Sequence, residues 1–337
     1  MSIQPPAEDL STDVVATAAE EVGATKIEGR TPWQLVRMRL RRDKTTMFIL
    51  VVVLFGLIMG ITAPILSRLG VLDPFSGNRE LIDVTGGGLP LGRFGGVSWA
   101  HPLGVVPGTG QDVLSRLVLG VTYSLGIAVS ATLLAIGLGT FVGVVAGYSR
   151  GWLDFWLSRL IDLTLTFPQT LMLIALSPIV VRLLTDRFGV PEGDIANGMY
   201  VVGVLGLFGW PIFARVIRSQ VLSIREREFI EAARSLGANN RRIYAKELLP
   251  NLWAPILIYS TLLMPQFISA EAALSYLGVG IKPPTPTLGN VLRDSIQYAE
   301  SDFIFFFFPA LFIAILVLSL NLLGDGLRDA LDPKADR

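Results

Sequence analysis

Six uncharged or nearly uncharged stretches alternate with charged connections along the chain, at residues 45–67, 118–149, 163–181, 195–214, 248–270 and 303–324. Each is near or above the roughly 20 residues that a helix needs to cross a bilayer. The pattern predicts an all-α polytopic membrane protein with six transmembrane helices. The second stretch is longer than one membrane thickness. It carries small residues four apart at Ala131, Ala135, Gly139, Gly143 and Gly147, a face that lets another helix approach backbone to backbone; tight packing is the preferred role. Pro168, Pro178, Pro211, Pro255, Pro265 and Pro309 lie in or near the stretches, where each removes a backbone donor and can kink its helix.

The connections differ in kind. Residues 1–29 hold Glu8, Asp9, Asp13, Glu20, Glu21 and Glu28 among Ser, Thr and Ala, which predicts a disordered acidic tail. Residues 30–44 mix Arg37, Arg39, Arg41, Arg42 and Lys44 with Trp33, Leu35, Val36, Met38 and Leu40, as an interfacial helix on an anionic surface does. The external loop, residues 68–117, has turn signals at Gly86-Gly-Gly and Gly95-Gly, and Gln111 to Val118 reads as a short helix before the second span. Residues 271–302 suggest a broken helix and a rigid turn, through Leu274-Ser-Tyr-Leu-Gly278 and Pro283-Pro-Thr-Pro286. Tyr276, Leu277 and Gly278 are candidates for an outer gate, and equally for a cap over the bundle. Residues 325–337 form a C-terminal tail.

The segment that stands out is polar. It runs from Arg225 to Pro250, overlapping a loop drawn at 215–247, and from Arg225 to Leu236 charged residues alternate with small or apolar ones at helical spacing. Ile224, Phe229, Ala232, Ala233 and Leu236 share one predicted face, and Glu228, Glu231, Arg234 and Ser235 the other. Gly237 and Asn239-Asn240 tolerate a left-handed backbone and can end the helix. A second short helical run follows. The segment suits docking to a partner; a loop that merely obeys the positive-inside rule is the plainer alternative.

Composition supports the class and narrows the chemistry. The 337 residues are 51% hydrophobic and 17% charged, below the roughly 25% charged of soluble domains. With 28 basic and 28 acidic residues the chain lacks the basic excess of a nucleic-acid binder. There is no cysteine, so disulfides and thiolate-ligated metals are excluded. The only Lys-Thr step, Lys44-Thr45, follows Arg41-Arg42-Asp43 rather than a glycine-rich phosphate cradle. His101 is the single histidine and is placed in a loop; Asp162 is the one acid placed near a span. Spans so empty of ionisable groups argue against a proton-coupled carrier. Twenty Lys and Arg fall on the termini, the 150–159 connection and the 215–247 loop, against eight on the other connections, which predicts cytoplasmic termini and a cytoplasmic charged loop.

Several motifs occur together in order: His101-Pro-Leu-Gly104, Asp112-Val-Leu-Ser-Arg-Leu117, Glu231-Ala-Ala233 with Gly237 and Leu249-Pro250, Glu271-Ala-Ala-Leu-Ser-Tyr-Leu-Gly278, and Gly324-Asp-Gly-Leu-Arg328 followed by Leu331-Asp-Pro333. From Arg41 to Pro333 the chain resembles the inner-membrane permeases of the dipeptide/oligopeptide ABC transporter family, specifically the C-type subunit. It departs from that family in the Val105–Gln111 segment, where an acidic residue and an arginine are more usual, and at Glu247, where an apolar residue is.

The resemblance implies a type I ABC importer permease fold in a bacterial inner membrane. It implies a homologous permease partner, two cytoplasmic ATPase subunits, an extracytoplasmic solute-binding protein and surrounding lipid. The chain itself would be no enzyme and bind no cofactor directly, ATP and Mg being used by the ATPase subunits. Glu231, Ala232, Ala233, Gly237, Leu249 and Pro250 become the coupling residues, with Arg227, Arg234 and Glu247 as loop contacts. The expected cargo is a dipeptide or oligopeptide, with nickel or another small solute as the nearest alternative and a stand-alone secondary transporter behind it. No substrate-binding residue is singled out.

Overall fold

The computed structural model describes residues 38–92 and 94–331; the acidic tail, most of the interfacial segment and residues 332–337 lie outside these. Helix α1 (Lys44–Arg68) begins where the Asp43 carboxylate accepts the Thr45 N–H at 2.9 Å. A β-hairpin of two-residue strands, β1 (Ile82–Asp83) and β2 (Leu89–Pro90), pairs Ile82 with Pro90 and Asp83 with Leu89. Helix α2 (Val113–Tyr148) follows, then α3 (Trp152–Thr166), α4 (Gln169–Phe188), α5 (Asp194–Ile224) and α6 (Glu228–Ser235). Helices α7 (Trp253–Tyr276), α8 (Leu288–Ile296) and α9 (Phe303–Leu331) follow, the last ending with the described residues. Among the described residues five helices are long and apolar enough to cross a membrane, namely α1, α2, α5, α7 and α9; α3 and α4, bent by 86° at their junction, make a sixth when counted as one span.

The bundle is built on the parallel pair α2 and α5. Along α2 the small-residue stripe faces α5 with almost no space between backbones. A Cβ added at Gly139 would lie 2.9 Å from the Trp210 carbonyl, at Gly143 2.7 Å from the Ala214 carbonyl, and at Gly147 2.9 Å from the Arg218 carbonyl. The stripe is therefore a packing face. From the other side Gly206 and Gly209 on α5 admit Leu134 and Phe267. Phe213, Ala214, Ile217 and Val221 are buried in this seam. Helices α7, α9 and α1 pack around it, while Phe48, Phe55, Ile61 and Ile65 of α1 remain exposed to whatever solvates the bundle.

The helices run past the ends that hydropathy alone assigns. Asp112 caps α2, its carboxylate accepting the Ser115 N–H at 2.7 Å, so no separate short helix precedes the second span. The third span is broken rather than straight: Phe167 is extended and Pro168 starts a new helix at a steep angle. Helix α5 continues to Ile224 instead of stopping near residue 214. Its extra turns are held by Arg215, 2.8 Å from Asp162, and by Arg218, 2.9 Å from Asp154, both on α3. The charged loop thus begins at Arg225. The fifth span starts at Trp253 and reaches Tyr276, so Glu271 lies inside a helix. The sixth continues to Leu331, which makes the first residues of the C-terminal tail helical. Of the interfacial segment, residues 38–42 are helical.

The long connection between α1 and α2 folds into a compact cap at one end of the bundle. Its glycine signals are turns, with Gly87, Gly88, Gly95 and Gly96 all at positive φ. His101 does sit in a loop, with Nδ1 2.9 Å from Asp112 Oδ1. The divergent Val105–Gln111 segment is a tight turn closed by Val106 N–H to the Gln111 carbonyl at 2.8 Å. Gln111 also accepts from Arg116 and donates to the Phe75 carbonyl at 3.0 Å.

Candidate functional site

The charged segment at the opposite end is a folded platform. Arg225 donates to the Gly147 carbonyl at 2.9 Å and the Ser149 carbonyl at 3.4 Å, satisfying the end of α2 and placing a cation where the helix dipole favours one. Three residues later α6 begins with Glu228 and Glu231 in its first turn, where acidic groups suit the positive helix end. The helix is anchored by Ile230, fully buried in the core. Arg234 lies over the Tyr148 ring, 5.0 Å from its centroid, and donates to the Tyr148 hydroxyl at 3.1 Å. Tyr148 in turn meets the Tyr244 ring edge-on at 5.1 Å, joining α6, α2 and the segment after α6.

Gly237 ends α6 by a specific device. The Ala238 N–H reaches the Ala233 carbonyl at 3.0 Å, and the Gly237 N–H reaches the Arg234 carbonyl at 2.9 Å. This pair of bonds requires a left-handed residue, and Gly237 has φ +79. Asn239 then caps the turn Asn240–Arg242, accepting the Arg242 N–H at 2.9 Å. A π-helical stretch, Ile243–Leu248, and a 3-10 turn, Leu249–Asn251, lead into α7. Ile243, Leu248 and Leu252 are fully buried beneath them.

The predicted contact face is divided by this anchoring. Ile224 is buried, but with Ile230 rather than with Phe229, Ala232 and Leu236. Phe229 is 38% exposed and Leu236 is 87% exposed; Glu231 and Ala232 are exposed beside them, and Ala233 is half-buried. Arg227 is the exposed N-cap of α6. Leu249 and Pro250 are exposed on the 3-10 turn. Half-buried Glu247 accepts at its backbone carbonyl from Asn251 at 2.6 Å. The platform therefore presents apolar, acidic and basic side chains outward from a fixed base.

At the hairpin end the structure holds a buried acid where the hydrophobic pattern predicts a loop. Glu271 of α7 is 1% exposed. Its carboxylate accepts from Ser124 of α2 and from Ser275, each at 2.8 Å. The Ser124 oxygen accepts the Leu288 N–H at 3.1 Å, tying in the start of α8. Thr287 and Asn290 cap α8 reciprocally at 2.9 and 3.1 Å. Gly289 allows the closeness, since a Cβ there would sit 2.6 Å from Ala272 Cα. Spans are thus not empty of ionisable groups, although this one is spent on joining α2, α7 and α8. We expect Glu271→Ala to destabilise the chain by about 2–4 kcal/mol, from two stranded hydroxyls and a cavity. Glu271→Gln should cost less than half of that. Thermal unfolding of the detergent-solubilised protein measures both, and equal shifts would contradict this assignment.

Tyr276 and Leu277, about half exposed, form the end of α7 rather than a broken helix. Gly278, at φ +80, closes it as Gly237 closes α6, with Val279 N–H to the Leu274 carbonyl at 2.8 Å. Gly278 and Lys282 border a cleft of about 810 Å³ against Pro178 and Arg182 of α4. Nearby Asp294 is pushed above the usual carboxylate range by burial, which the Arg116 and Arg293 charges oppose. Among the described residues no group of three or more His, Cys, Asp or Glu is placed to hold a metal. Nor, among them, is a serine hydroxyl bonded to the His101 ring; Asp112, its carboxylate neighbour, is engaged in capping α2.

Known proteins resemble most of this chain. The family described as binding-protein-dependent transport system inner membrane component matches residues 139–337, and the N-terminal TM domain of oligopeptide transport permease C matches residues 31–79. The dipeptide transport system permease protein DppC of Alkalihalophilus pseudofirmus is 34% identical over 303 residues, 90% of each chain. The oligopeptide transport system permease protein OppC of Mycobacterium tuberculosis is 38% identical over 224 residues, 66% of this chain and 73% of its own. Among solved structures, a chain of the MetNI methionine ABC transporter in inward-facing conformations aligns with TM-score 0.52 and 21% identity. That alignment covers 65% of this chain and 97% of the other, and it concerns the fold.

Proposed function

The chain belongs to the oligopeptide and dipeptide ABC transporter permease family as a C-type subunit, and from that premise we propose how it works as half of the translocation pathway of an ATP-driven peptide importer. It is a non-catalytic multi-pass inner-membrane subunit. A second, homologous permease supplies the other half of the pore, two cytoplasmic ATPase subunits supply energy, and an extracytoplasmic solute-binding protein delivers the dipeptide or oligopeptide.

The observation that carries the coupling assignment is the division of α6. Ile230 is buried in the bundle while Phe229, Glu231, Ala232 and Leu236 face outward. A helix so held transmits displacement to α2 through Arg234 and Tyr148, and to α5 through the short 225–227 link. Closure of the ATPase pair on bound ATP then shifts the bundle between inward- and outward-facing states, because the docked surface differs in affinity between them. Glu231, Ala232, Ala233, Gly237, Leu249 and Pro250 form this contact, with Arg227, Arg234 and Glu247 around it. Tyr276, Leu277 and Gly278 form the outer gate.

The orientation follows from the basic residues: the charged platform and both termini lie in the cytoplasm, the hairpin cap outside. The cysteine-free chain allows a direct test. Ser235→Cys should resist a membrane-impermeant maleimide in intact cells and Gly87→Cys should react; labelling of Ser235→Cys from outside contradicts this orientation. The transport assignment is tested by uptake of a labelled dipeptide or tetrapeptide in cells from which the chain is deleted. Re-expression should restore uptake, and depletion of ATP should abolish it. Uptake driven by an ion gradient without ATP would overturn the proposal.

A further inference from the structure

One carboxylate oxygen at the hairpin end has no answering group among the described residues. Asp302 directly precedes α9, where its Oδ1 accepts the Phe305 N–H at 3.3 Å. Its Oδ2 is buried and, among the described residues, has no hydrogen-bond partner, and the residue as a whole is 6% exposed. Burial pushes its carboxyl above the usual carboxylate range. An unpaired buried carboxylate oxygen costs stability that the cap alone does not recover.

Its surroundings indicate what would pair with it. Asp302 lines a cleft of about 460 Å³ together with Leu89, Pro90, Phe94, Phe303 and Ile304. Largely apolar walls that include an acid suit an alkyl stem that carries a cationic head. They suit a metal ion poorly, since hard cations gather six or more oxygens. The cover over the acid is a turn without side chains: a Cβ at Gly95 would sit 2.9 Å from both carboxylate oxygens. Beside it Phe94, 72% exposed, is held at φ 56, a conformation uncommon for a non-glycine residue. Such local strain concentrates at ligand clamps and switch regions.

We propose that this cleft receives a lysine or arginine side chain of the solute-binding protein, its stem lying against Phe94 and Phe303 and its charge on Asp302. The glycine turn at residues 95 and 96 swings aside to admit it. The proposal rests on the importer assignment for the identity of the docking protein.

A photo-crosslinking phenylalanine analogue placed at Phe94 in the assembled transporter tests it. The crosslink should map to a peptide of the solute-binding protein that contains a lysine or arginine. Asp302→Asn, which keeps the Oδ1 acceptor for the α9 cap, should lower the yield about tenfold, a loss of about 1.4 kcal/mol of binding. Asp302→Lys combined with replacement of the mapped base by Asp should restore it. A yield indifferent to Asp302→Asn overturns the site, as does a crosslink to cargo peptide instead of protein. An equal loss in Arg93→Gln alone also overturns it, because the acid then answers a base of this same chain. A second probe at Trp99, fully exposed at 102%, separates the failures. Capture of the solute-binding protein at Trp99 but not at Phe94 refutes this cleft and leaves the importer assignment standing. Capture at neither position, with peptide uptake that needs no solute-binding protein, refutes both.

Discussion

Gly143→Leu should reduce the folded chain in the membrane to roughly a tenth or less of wild type, because overpacking a well-fitted contact costs about 1–3 kcal/mol and here the obstacle is backbone. At this position even a Cβ would lie 2.7 Å from the Ala214 carbonyl and 2.8 Å from Ile217 Cβ. Neither neighbour can step aside alone. Gly139 is pinned in the same way 2.8 Å from Phe213, and Gly147 2.7 Å from Val221, so separating the helices at one point opens the whole seam. Helices in lipid associate through close van der Waals contact between small residues, and distance removes that contact directly. Gly137 supplies the control: it is exposed on the same helix and a Cβ there meets nothing within 4 Å. Membrane abundance and protease resistance of the two leucine variants, measured side by side, decide the matter. Equal losses in both would show that the α2–α5 seam is not what sets the fold.

Ala232→Trp should lower ATP-coupled peptide uptake at least tenfold while leaving membrane abundance and pairing with the second permease near normal. Ala232 is exposed on α6, so in the isolated chain an indole there displaces nothing. It matters only if a partner packs against that face, where the same overpacking cost of about 1–3 kcal/mol applies. Ala233 is a less clean probe because it is half-buried and its carbonyl takes part in closing the helix at Gly237. Ala232→Ser, which adds polarity with little bulk, should transport almost normally. Wild-type uptake and ATPase binding in the Trp variant would remove Ala232 from the contact.

The spans were legible because lipid-facing and core-facing positions are both apolar, so their hydropathy survives any error about faces. Their ends were not. Arg215 and Arg218 look like loop residues, yet they continue α5 because Asp162 and Asp154 stand opposite them on α3. Only tertiary structure brings those acids near. The face of α6 was misassigned for a related reason. Counting helical spacing from Ile224 assumes an unbroken helix, whereas the chain leaves helical geometry at Arg227 and resets the phase. Ile230 then points inward in place of Phe229 and Ala232. An isoleucine among charges was the available signal.

Glu271 was harder to place. Its position in a run of Ala, Leu and Ser gave no hint of burial, and its donors come from Ser124 on another helix and from Ser275. The cap at the hairpin end was clearer. Glycine pairs marked turns there because left-handed backbone is a local requirement, and Gly87, Gly88, Gly95 and Gly96 all have it.

The central claim is that this chain transports only within a larger assembly that supplies the energy. The native mass of a gently solubilised particle, taken from a preparation that still imports peptide into proteoliposomes on added ATP, tests it most directly. The predicted particle contains one copy of this 36.6 kDa chain, one homologous permease and two ATPase subunits, and its uptake stops when the ATPase subunits are stripped. A transport-active particle made of this chain alone would contradict the account.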